Sequence, residues 1–109
     1  MIRFALAVLL ATTSAAAAQE SKKEEVCGNM AQVVRAIQEA RLDRVKERDV
    51  EEIILAQAPT WPENYNRAIP LMTPWVYEQR MRDVRRNDLG EAWDEVCQNN
   101  WQSLAEQFE

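Results

Sequence analysis

The sequence predicts an all-α fold, a small bundle of four to five helices stapled by one disulfide and preceded by a signal peptide. Three observations lead there. Only two glycines, Gly28 and Gly90, occur in 109 residues, and no alternation of polar and apolar residues runs long enough for a strand. Four S/T/D-x-x-E patterns mark helix starts: Ser21/Glu24, Asp49/Glu52, Thr60/Glu63 and Asp88/Glu91. In each, the first side chain accepts a bond from a free backbone N–H and the glutamate reaches back. The third observation is a pair of cysteines, Cys27 and Cys97, near opposite ends of the chain that follows the leader.

The leader comes first. Met1-Ile2-Arg3 precede an apolar run from Phe4 to Ala11, and small residues end at Ala16-Ala17-Ala18. A positive start, about 8 apolar residues and an A-x-A site make a secretory signal, whereas a membrane span needs about 20 apolar residues. Cleavage is expected after Ala18, which divides the chain into a signal peptide, 1–18, and a helical domain, 19–109. No lipobox precedes Cys27, so the mature protein is expected to be soluble, periplasmic or secreted, with no stable membrane anchor. In an oxidising compartment two thiols pair and persist, which predicts a Cys27–Cys97 disulfide. Closing a loop of about 70 residues stabilises a fold by about 4 kcal/mol in the chain-entropy view.

The first helix is predicted from Lys22 to Arg44, because Val26, Met30, Val33, Ile37 and Ala40 recur at steps of three and four. Cys27 and Val34 border that stripe. A break is expected near Lys46 to Arg48, with Asp49 capping a short second helix, Val50 to Gln57, whose Val50, Ile53, Ile54 and Ala56 give it an apolar side. Ala58-Pro59-Thr60 punctuates the chain, since proline lacks an N–H and disfavours helix at the residue before it. A third helix is expected from Trp61, with Pro62 in its first turn. Thr73-Pro74 reads as a further start, giving a fourth helix to Arg86, and a single kinked helix over 61–86 is the alternative. Asn87-Asp88 ends this region. The last helix, Leu89 to Phe108, carries Leu89, Trp93, Val96, Cys97, Trp101, Leu104 and Phe108 on one broad stripe. The disulfide then pins the first helix to the last.

Composition removes most chemistry. The chain has no histidine, hence no usual general base, no commonest metal ligand and no Ser-His-Asp or Cys-His site. It has no glycine-rich loop to cradle phosphate and no calcium loop. Adjacent carboxylates stand at Glu24/Glu25, Glu51/Glu52 and Asp94/Glu95, but neighbours on a helix point about 100° apart, so none is preset for hydrolysis. No catalytic, cofactor or metal residue is expected, and the protein reads as a non-enzyme. The balance of 13 Lys and Arg against 18 Asp and Glu disfavours nucleic acid as a partner. Cutting after Ala18 removes Arg3 and no acid, leaving the mature chain one unit more negative than the −5 of the whole sequence.

Two candidate surfaces remain. Arg82, Arg85 and Arg86, with Arg80 beside them, share a helix face and form a candidate anion patch. They equally complement the dipole at a helix C-terminus. Four tryptophans are many for so short a chain. Trp93 and Trp101 fit the core stripe. Trp61, Tyr65 and Trp75 lie near prolines at helix starts, and form either a candidate partner surface or a lid closing the end of the bundle.

At Cys27, the Ala36-Ile37-Gln38-Glu39-Ala40-Arg41 segment, Val76-Tyr77 and Cys97, the chain resembles small exported, single-disulfide helical proteins of Gram-negative bacteria without assigned activity. In size, export and its one long-range disulfide it is also similar to periplasmic acid-stress chaperones, from which no functional residue carries over. The leading expectation is a non-catalytic interaction module whose partner is another periplasmic or secreted protein. An acid-stress holdase is the alternative, since protonating the carboxylates turns the chain strongly positive. A small carboxylate-dependent hydrolase or small-ligand carrier is the third.

Overall fold

The computed structural model describes residues 13–108, and side chains over 17–106. Residues 1–12 of the expected signal peptide lie outside the described residues. Those described are all-helical: α1 (Thr13–Leu42), α2 (Val50–Ala56), α3 (Ala68–Glu78), α4 (Met81–Arg86), α5 (Leu89–Asn99) and α6 (Trp101–Phe108), with 3-10 turns at Glu47–Asp49 and Glu63–Arg67.

Helix α1 is the axis of the fold. Its stripe Val26, Met30, Val33, Val34, Ile37 and Ala40 is buried, and α5 and α3 pack along it, with α2 at its far end. It begins earlier than the sequence suggests, so Ser21 is an interior residue and not a cap. The alanines before it are the strongest helix formers, and nothing in Ala15–Ala18 stops the helix. It ends earlier too, at Leu42. Arg44 turns into the left-handed region, φ 62°, while Val45 N–H bonds to the Ala40 carbonyl (2.9 Å) and Arg44 N–H to that of Arg41 (3.0 Å). That pairing is the Schellman closure, here built without the usual glycine.

Three further expected caps are not made. Asp49 has helical dihedrals and no side-chain cap bond, because the preceding 3-10 turn feeds straight into α2. Thr60 is displaced by a 3-10 turn that Pro62 opens. Thr73 lies inside α3, where its hydroxyl donates to the Ile69 carbonyl at 2.5 Å. Pro70 falls in the first turn of α3, where a missing N–H costs nothing, and Pro74 is accommodated within the helix. The region 61–86 is therefore neither one kinked helix nor broken at Thr73. Its break falls at Gln79–Arg80, which have extended backbones.

The last stretch is also two helices and not one. Asn100 (φ −116°, ψ 22°) separates α5 from α6, and its side-chain amide donates to the Val96 carbonyl at 2.8 Å. Of the four predicted caps, Asp88 works: its carboxylate accepts the Glu91 N–H at 3.0 Å.

Helices α1 and α5 meet closely. A Cβ on Gly90 would lie 2.5 Å from Arg35 Cγ and 2.7 Å from the Ala31 carbonyl oxygen, so only glycine fits there. Farther along the same pair, Cys27 and Cys97 form the predicted disulfide, with α-carbons 5.7 Å apart and both residues buried.

Candidate functional site

The three aromatic residues expected as a partner surface do not form one. Trp61 and Tyr65 expose only 9% each and belong to the core. The Trp61 indole N–H is satisfied by the Asn66 side-chain oxygen at 2.7 Å. Trp75 is half-buried and leans on Trp93 with ring centroids 6.2 Å apart, tilted by 59°. Aromatic pairs in such tilted contact hold each other beyond their buried area. These rings close the core under the 3-10 turn and α3, which corrects the surface reading in favour of the lid.

The arginines are placed differently. Helix α4 is held to the body by buried Val84 and half-buried Met81, and the Val84 carbonyl accepts the Gln38 amide of α1 at 2.7 Å. That anchorage turns Arg82, Arg85 and Arg86 outward, and all three are exposed. Arg80 pairs with Asp83 at 3.5 Å. Among the described residues, no acid lies within 4 Å of the Arg82, Arg85 or Arg86 guanidinium. Residues at i, i+3 and i+4 are neighbours on a helix surface, and guanidinium groups bind carboxylates or phosphates through paired N–H donors. Arg85 and Arg86 also lie in the last turn of α4, where the helix dipole favours cations. The patch thus combines donors of the kind that suit an anion with cations that complement a helix end.

A second feature was not legible beforehand. Where α5 bends into α6 at Asn100, a groove of about 510 Å³ opens against the first turns of α1, lined by Gln19, Glu20, Lys23, Asn99, Trp101 and others of 98–103. Its walls are amides, one indole and the Glu20–Lys23 ion pair at 3.4 Å. The Asn99-Asn100 pair is its one signal in the sequence, since asparagine is a weak helix former.

None of the carboxylate pairs lines that groove: Glu24, Glu25, Glu51, Glu52 and Glu95 are exposed and Asp94 is half-buried. Among the described residues no three Cys, Asp or Glu converge as a metal site, and no helix is long and apolar enough to cross a membrane. Among the described residues, two titrating groups are perturbed. The Glu91 backbone N–H holds the Asp88 carboxyl below its ordinary range, with partial burial opposing and Arg35 assisting. Burial pushes the Tyr77 phenol up, against the pull of Arg41, whose guanidinium lies 5.2 Å from the ring centroid. Tyr77 donates its hydroxyl to the Val45 carbonyl at 2.5 Å. Asp88 thus caps α5, and Tyr77 ties α3 to the chain that follows α1.

Comparison with protein-family models, with curated proteins and with solved structures finds no match.

Proposed function

We propose that the protein is a non-catalytic, periplasmic or secreted helical module that binds an acidic protein partner through α4. The observation that carries this reading is the outward set Arg82, Arg85 and Arg86, unpaired with acids among the described residues on a chain whose net charge is −5. Three like charges on six residues of helix repel one another, and an arriving carboxylate cluster relieves that repulsion. The aromatic alternative has lost its surface to the core. The buried disulfide supports an oxidising compartment, where such a bond persists.

The test is cross-linking in periplasmic extract with the oxidised protein, beside a variant carrying Arg82→Glu, Arg85→Glu and Arg86→Glu. The reading expects a discrete acidic partner that is lost in the charge-reversed variant and weakened by added salt. Equal capture by both proteins rejects it. The variant must keep the circular dichroism and melting temperature of the wild type, which shows that its fold is intact.

A further inference from the structure

We infer that Gln19 is a modification site, at which the mature chain closes its own N-terminus into a pyroglutamyl lactam. The inference rests on the export reading, with cleavage after Ala18. In the step, the neutral α-amino nitrogen of Gln19 attacks its side-chain amide carbon. A bond forms between the α-nitrogen and Cδ, the bond from Cδ to Nε2 breaks, and one proton passes to the leaving group, which departs as ammonia. No oxidant, reductant or co-reactant enters. An α-amino group titrates at about pH 8, so a fraction is neutral and nucleophilic near neutrality.

Three features of the fold favour closure. Gln19 is exposed, and the first buried residues of α1 are Val26 and Cys27. The disulfide and the core therefore grip α1 two turns beyond Gln19, while a helix beginning there has backbone N–H groups without intrahelical partners and frays. The residue is free to fold back on itself. A free α-ammonium would also stand at the positive end of the α1 dipole, and the lactam removes that charge. Finally, Gln19 forms part of the wall of the groove at the α5–α6 bend, where Glu20 and Lys23 already pair. Cyclisation keeps that wall electrically balanced.

The test uses the full chain with its leader, expressed in a Gram-negative host and recovered from the periplasm. Intact mass spectrometry is expected to show residues 19–109, oxidised, and lighter than the sequence by one ammonia. The α-amine should resist labelling until a pyroglutamyl peptidase, acting on the unfolded chain, exposes Glu20. A Gln19→Glu variant, whose acid is a far poorer acceptor, should keep a free and labelled amine. A wild-type chain starting at Gln19 at full mass, still labelled after prolonged incubation, overturns the inference and leaves the export reading standing. A different first residue overturns the inference together with cleavage after Ala18, and the mass tells the two results apart.

Discussion

The Arg41 guanidinium of α1 donates to the Gln79 carbonyl at 2.6 Å, and that contact ends α3. The same side chain donates to the Tyr77 carbonyl and, at 3.3 Å, to that of Val76. These carbonyls belong to the end of α3, where intrahelical donors run out, although Val76 also accepts the Gln79 N–H at 3.2 Å. One residue on α1 therefore completes a helix terminus distant in sequence. Gln38, nearly a turn earlier on α1, repeats the device at the next junction. Its amide donates to the Val84 and Asn87 carbonyls, each at 2.7 Å, and accepts the Leu89 N–H at 3.1 Å.

Replacing Arg41 strips those carbonyls of a charged donor while keeping them partly buried. Arg41→Met should cost about 2–4 kcal/mol in urea unfolding, since hydrogen bonds to charged groups are worth about 1.5–3 kcal/mol and unmade ones are penalised. Arg41→Lys should recover only part, because an ammonium lacks the planar fork that spans separate acceptors.

The two glycines should respond oppositely to alanine. At Gly28 nothing lies within 4 Å of a new Cβ, so Gly28→Ala should stabilise α1 by about 0.5–1 kcal/mol through helix propensity alone. At Gly90 the new Cβ would meet the Ala31 carbonyl oxygen at 2.7 Å. Gly90→Ala should therefore destabilise by about 1–3 kcal/mol as α5 is forced off α1, despite the better propensity. Paired denaturation curves decide both.

Asp88 links stability to pH. Its carboxyl is held below the ordinary range by the Glu91 N–H first, with Arg35 helping at 3.2 Å. A carboxyl lowered in the folded state contributes stability that is fully present above its unfolded pKa and is lost as pH falls through the folded value. The melting temperature of wild type should thus exceed that of Asp88→Asn near neutrality, with the gap closing in acid. Asparagine keeps the cap, so the comparison isolates the charge. A gap that persists unchanged at low pH would contradict this assignment.

The sequence made the long-range frame readable through periodicity. Val26, Met30, Val33, Ile37 and Ala40 recur as a core stripe must, and the stripe of Leu89, Trp93 and Cys97 gives α5 a face toward it. What escaped reading was set by contacts from afar. Nothing local marks Gln79 as a helix end, because its donor is Arg41. Nothing marks Arg44 as a helix stop, because the residue usually found in the left-handed region is glycine. Capping patterns at Ser21, Asp49 and Thr60 are overridden by strong preceding helix or by 3-10 turns, while at Asp88 the extended backbone leaves the carboxylate placed to accept the Glu91 N–H. Trp61 and Tyr65, beside prolines, are drawn into the core by α3, which local pattern does not reveal. The outward arginines of α4 were legible as a cluster, but their freedom from acids required the fold.

One covalent link, Cys27–Cys97, joins α1 to α5. Substituting both Cys27 and Cys97 by serine should cost about 2–4 kcal/mol. The more direct measurement is peptide mapping of protein recovered from the periplasm, denatured and alkylated without reductant. The account predicts a single cross-linked fragment pair containing Cys27 and Cys97, with neither sulfur alkylated. Recovery of both cysteines in alkylated form would contradict it.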